Sequence, residues 1–119
     1  MTTQEIANRL VELSRKGEWE TAQKELFADD AISIEPYATP AFDKETKGLQ
    51  AIIEKGNKFE SMVQELHSVS ASDPLIAGNA FACSLTMDIT MKNQPRATWV
   101  ELCVYTVKDG KIISEQFFL

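Results

Sequence analysis

Three side chains in this sequence carry the types and positions that acid/base chemistry needs. Glu35 ends the apolar run Ala31-Ile32-Ser33-Ile34, and Pro36 stops that run by removing a backbone donor. A carboxylate at the end of a strand that feeds a core is either a solvated surface group or a general base in a half-buried pocket. Glu101 stands among Trp99, Cys103 and Tyr105, in a later apolar run. Burying such an acid is costly unless it is paired or protonated, so an inward Glu101 implies a partner, a wet cavity or a raised pKa. His67 is the single histidine. It opens a strand after the third helix, where its ring fits proton transfer, ligand binding or a purely structural bond. Tyr37 is a further donor, at the mouth of any pocket beside Glu35, or else a loop-packing aromatic.

Positioning these groups falls to three helices and a run of strands. Thr3 to Lys16 reads as an amphipathic helix with Ile6, Ala7, Leu10 and Leu13 on one face. Thr2 and Glu5 have capping-box spacing, and Gly17 is a natural stop. Glu18 to Phe27 is a second helix carrying Trp19, Ala22 and Leu26 inward. A short strand, 31–35, leads into a long loop, 36–47, of the kind that serves as a lid or binding edge. Gly48 to Gln64 is a third helix, burying Leu49, Ile52, Ile53, Phe59, Met62 and Val63. Beyond it the chain is strand and turn: 66–72, 79–91, 97–107 and 111–119, with Asp109-Gly110 marking the last hairpin. The order is α-α-β-α-β-β-β-β. Helices segregated from a strand meander indicate α+β, with one curved antiparallel sheet wrapped around three helices, in a single domain of residues 1–119.

Register decides which side chains share the interior. Phe81, Cys83, Leu85, Met87, Ile89 and Met91 alternate with Ala82, Ser84, Thr86, Asp88, Thr90 and Lys92, so the odd residues face the helices. A turn centred near Gln94 pairs odd with odd, which puts Trp99, Glu101, Cys103 and Tyr105 inside. A one-residue slip would reverse the assignment. Trp99, Tyr105, Phe59, Met62, Cys103 and Phe117 then line the interior as core, ligand wall or both. The opposite face, with Val100, Leu102 and Val104, is too apolar to stand free and predicts a homodimer through the outer sheet face.

Composition narrows the partners. A net charge of −6 with scattered Lys and Arg argues against nucleic acid, which needs a basic stripe. No apolar run approaches a membrane span, and residues 1–5 have neither the basic nor the apolar region of a secretory leader, so the expectation is a cytoplasmic protein. Two cysteines inside apolar strands read as reduced buried thiols. No His/Cys spacing suggests a metal site, and no motif calls for a cofactor.

These elements, in this order, resemble the SnoaL-like branch of the nuclear transport factor 2-like superfamily, which includes the ketosteroid isomerases. The matching motifs are Gly17-Glu18-Trp19, Phe27-Ala28-Asp29-Asp30-Ala31, Lys47-Gly48-Leu49, and Asp109-Gly110-Lys111-Ile112 with Phe117-Phe118. They span nearly the whole chain. The resemblance implies a cystatin-like cone with an apolar pocket, binding a small apolar organic molecule, with isomerase, cyclase or dehydratase chemistry in some members and plain ligand binding or protein interaction in others. In the isomerase branch the general base is an acid just before a proline at the end of the first strand, the position of Glu35-Pro36. The two oxyanion-hole donors of that branch fall at Leu10 and Cys103, which cannot replace them as strong donors. Any proton transfer must recruit Glu101, His67 or Tyr37 beside Glu35.

Overall fold

The computed structural model describes all 119 residues. Three helices, α1 (Thr3–Arg15), α2 (Trp19–Leu26) and α3 (Leu49–Met62), combine with seven strands. These are β1 (Phe27–Ile34), β2 (Glu45–Lys47), β3 (Val63–Ala71), β4 (Leu75–Ala77), β5 (Ala80–Met91), β6 (Ala97–Lys108) and β7 (Lys111–Phe118). The sheet runs β2-β1-β7-β6-β5-β3, with β4 pairing the start of β5 on the same edge as β3. All pairs are antiparallel except β1 with β7, so the sheet is mixed where an antiparallel one is expected. The short strands β2 and β4 lie in stretches that read as loop. Three residues are too few to show a period of two, and β2 exists only because it pairs with the end of β1.

Local chemistry explains the element ends. The Thr2 hydroxyl accepts from Glu5 N at 3.1 Å while Glu5 Oε1 accepts from Thr2 N at 2.9 Å, completing the capping box of α1. Gly48 has φ of +95°, which a side chain would strain, and this lets the chain turn from β2 into α3. The Gly48 amide donates to Ala31 O at 2.8 Å, pinning that turn to β1. Asp109 and Gly110 both take positive φ, the requirement of a tight two-residue hairpin.

The core is one cluster of 20 buried residues between the helices and the concave sheet face. Ile6, Leu10 and Leu13 from α1, Leu26 from α2 and Ile52 from α3 meet Phe81, Leu85 and Ile89 from β5. The β5–β6 register pairs Cys83 with Cys103 and Leu85 with Glu101, so odd faces odd. The turn centres on Asn93 rather than Gln94, and the parity is unchanged. Register shifts in the β1–β7, β3–β5 and β6–β7 ladders bend the sheet around the helices. No helix is long and apolar enough to cross a membrane.

Candidate functional site

Glu35 follows β1 directly. Its amide donates to Lys44 O at 2.7 Å, which closes the base of the loop 36–44. Lys58 of α3 holds that loop from above: its ammonium donates to Ala41 O and lies 5.0 Å from the Phe42 ring centroid. The Glu35 side chain is 29% exposed, yet its Oε2 is enclosed and accepts no hydrogen bond. The nearest cation is Lys55 Nζ, 3.9 Å away.

Lys55 reaches this place because it shares a face of α3 with Ile52 and Phe59, three residues before it and four after. Its ammonium donates to Ser33 Oγ at 2.6 Å, and Ser33 Oγ donates in turn to Glu115 Oε1 at 2.8 Å. Ser33 is fully buried, and Glu115 is 5% exposed. The two are opposed across the parallel β1–β7 ladder. Lys55 Nζ also stands 5.8 Å from the Phe117 ring centroid.

Glu101 completes the group on the inner face of β6. Burial, then the charges of Glu35 and Glu115, push its pKa up to about 7, against the opposing pull of Lys55. The Cys103 thiol lies 3.9 Å from Glu101 Oε1, a weak donor contact. Glu115 is likewise raised to about 7, chiefly by burial and further by Glu35, while Ser33 and Lys55 hold it down. Cys103 is pushed up by its bond with Cys83 and by burial, and so keeps its proton. The site therefore brings together two acids that change charge near neutral pH, a third carboxylate with a free oxygen, and one ammonium. Its three carboxylates are not placed to hold a metal ion together.

Of the residues singled out from the sequence, Glu35, Glu101, Cys103 and Phe117 meet around this group. Trp99 and Phe59 pack on each other, centroids 5.9 Å apart, with Trp99 two residues before Glu101 on the same face. Tyr105 is buried and stacks on Phe81 at 4.8 Å. Met62 and Tyr37 lie at the surface, Tyr37 at 58% exposure and without a hydrogen bond from its hydroxyl. His67 stands apart from the acids. It is the extra residue where the β3–β5 register shifts, and its ring binds Glu65 Oε2 and Thr90 Oγ1, each at 2.8 Å, on the outer face. Leu10 is core.

Ser33, Lys55 and Glu115 escaped the sequence reading. Lys55 had a signal: it falls at helical spacing between Ile52 and Phe59, on the buried stripe. Glu115 had none. The tight hairpin pairs Val107 with Ile112, and an unbroken ladder would set Glu115 opposite Val104, facing outward. A bulge at Ile113 shifts the register, so Glu115 pairs with Tyr105 and faces inward.

Neither of two surface concavities holds an acid of this group. One, about 310 Å³, is lined by Gly17, Trp19, Phe59, Leu66, Met87 and others; the second, about 390 Å³, lies around Asp29, Leu49 and Ile53. Phe59 both lines the first cleft and packs on Trp99, so that cleft adjoins the acids without containing them.

The sequence model of the SnoaL-like domain matches residues 1–119. The chain belongs to the SnoaL-like family. A Mesorhizobium loti protein, named as a candidate SnoaL-like polyketide cyclase and also as a carbohydrate phosphatase, is 33% identical, with all of both chains covered and a TM-score of 0.93. A Xanthomonas campestris protein of unknown function with a cystatin-like fold is 18% identical over 99% of this chain and 90% of its own, TM-score 0.82. A Catenulispora acidiphila protein with a ketosteroid isomerase-like fold, in complex with trimethylamine, is 17% identical over 99% and 87%, TM-score 0.75. These last two carry the fold alone. A search of curated proteins finds no match. The SnoaL-like domain thus has the α+β cone that its element order implies.

Proposed function

We propose that this SnoaL-like domain binds a small organic molecule with an acidic C–H beside a carbonyl and moves a proton on it. Glu35 takes the proton from carbon. Glu101, protonated up to about pH 7, or the Lys55 ammonium donates to the carbonyl oxygen, so that an enol forms. The enclosed, unbonded Oε2 of Glu35, 3.9 Å from Lys55, is the observation that carries this reading. A free oxygen beside a cation is a base with nothing yet to accept from. Isomerisation needs only return of the proton at another carbon, and cyclisation needs only attack of the enol carbon on a second carbonyl. The name of the M. loti relative favours the second.

Hydrogen–deuterium exchange at the central carbon of an aromatic 1,3-diketone, followed by NMR, tests this directly. The protein should accelerate exchange, and Glu35→Gln should remove about 10²- to 10⁴-fold of the acceleration. Equal exchange by wild type and variant would remove Glu35 as base.

A non-catalytic binding module is the second reading. It is favoured by the Phe59–Trp99 contact, which fills space beside Glu101, and by the position of the 310 Å³ cleft outside the acids. Diketone binding, seen as quenching of Trp19 or Trp99 fluorescence, with no exchange in wild type would select it.

The reading extends to assembly and location. Val100, Leu102 and Phe118 are exposed at 58%, 44% and 46% on the outer sheet face, with Leu102 opposite Phe118. Contiguous apolar area of this kind suits a homodimer. Leu102→Asp should halve the mass seen by light scattering, and an unchanged mass would exclude this face. Two free buried thiols suit a reducing compartment such as the cytoplasm.

A further inference from the structure

Glu115 has no place in the mechanism above, yet it is the most buried acid of the chain and ends a continuous hydrogen-bonded line. Lys55 donates to Ser33 at 2.6 Å and Ser33 donates to Glu115 at 2.8 Å. Ser33 is fully buried and has no other side-chain partner than these two. Lys55, at 17% exposure, is the member nearest solvent and nearest Glu35. A hydroxyl can accept a proton on one side while giving one up on the other, so this line conducts in either direction without moving a heavy atom far.

We propose that Ser33 is a proton relay that connects Glu115 to Lys55, making Glu115 the store from which Lys55 is recharged. Lys55 acts on the substrate, while Ser33 and Glu115 act through it. When the Lys55 ammonium gives a proton to the substrate oxygen, a neutral amine is left. The Ser33 hydroxyl then turns from Glu115 to Lys55 and gives its proton to Nζ, and the Glu115 acid proton moves to Ser33 Oγ. The products are an ammonium, an intact hydroxyl and a carboxylate, with every proton accounted for. The store refills from solvent by the same route in reverse. Burial raises the Glu115 pKa, Ser33 and Lys55 on α3 lower it, and Glu35 beyond β1 raises it, while Glu101, Cys103 and Tyr105 on β6 feel its charge in turn. Its ordinary working range is near pH 7, where both of its forms are available.

The use of the store rests on the acid/base reading above, but its test does not. Protein labelled with ¹³C at the glutamate carboxyls is titrated from pH 5 to 8 in a Glu101→Gln background, which removes the titration of Glu101 from the same window. With the relay intact, Glu115 Cδ gives a single signal that moves with pH, because its two forms exchange fast. Ser33→Ala breaks the line in the middle and Lys55→Met breaks it at the solvent end. Each should slow proton exchange at Glu115 by on the order of tenfold or more, seen as broadening or as two signals of changing intensity. A purely structural role for Ser33, or a purely electrostatic effect of Lys55, would shift the midpoint and leave the exchange rate alone. Wild-type exchange rates in both variants would overturn the relay. Since no substrate is used, the relay and the diketone chemistry stand or fall separately.

Discussion

Replacing Lys55 by methionine should cost about 3–5 kcal/mol of stability at pH 8, the usual range for stripping the partner from a buried charge, and only about 1 kcal/mol at pH 5. Lys55 is the one ammonium among Glu35, Glu101 and Glu115. Above pH 7 all three can carry charge, and methionine leaves them facing one another in a partly dry space. At pH 5 Glu101 and Glu115 hold their protons, because their values lie near 7. Lys55 then loses only its contact with Glu35 and its bond to Ser33. Methionine keeps most of the apolar stem that packs beside Phe117, so the comparison isolates the charge. Urea denaturation at the two pH values measures the penalty. The same penalty at both would mean that charge is not what Lys55 contributes.

The second large effect is a stability that falls as pH rises through neutrality. Glu115 has an ordinary value of 4.5 when unfolded and about 7 when folded. Between those values the folded chain binds more protons than the unfolded one, so unfolding free energy decreases with rising pH. The stability is fully present below pH 4.5 and is lost by the time pH passes 7. For Glu115 alone the loss amounts to about 3 kcal/mol. Glu101 shifts the same way in the same window, and the charge of Glu115 is part of what raises it, so their losses do not simply add. Glu115→Gln keeps the shape and a hydrogen bond for Ser33 but cannot ionise. It should match wild type near pH 4.5 and exceed it by up to about 3 kcal/mol at pH 8. The surface pairs of Glu25 with Arg9 and Asp88 with Arg96 lower those carboxyls and act only in acid, so they leave this window clear. A melting temperature that climbs from pH 5 to 8, or a Glu115→Gln variant that parallels wild type throughout, would refute the argument.

The price of keeping these acids inside is visible in both predictions, and it is the kind of local cost that structural need alone does not explain. A core built only for stability would hold an apolar side chain at Glu115, next to Tyr105 and Ile112.

Much of this was legible from residues alone. Alternation along 81–91 and the parity of the following turn put Glu101, Cys103 and Tyr105 on the concave face, and the β5–β6 register agrees. Helical spacing located all three helices, and the Thr2–Glu5 box located the first of their ends. Glu35 before Pro36 marked the exit from β1, and that is where the site begins. Patterns with a period of two or 3.6 are local, and local information is what a sequence displays openly.

What the tertiary structure alone decided is which groups stand beside Glu35. The bulge at Ile113 turns Glu115 inward, the parallel β1–β7 pairing lays Ser33 against it, and α3 crosses at the angle that delivers Lys55 to Ser33. The last two depend on contacts between residues 82 and 22 positions apart, and the first on one extra residue in a hairpin ladder. No periodicity records such contacts, because one inserted residue in a ladder reverses every side chain beyond it. For the same reason His67, at a second such shift, came to rest on the outer face with Thr90.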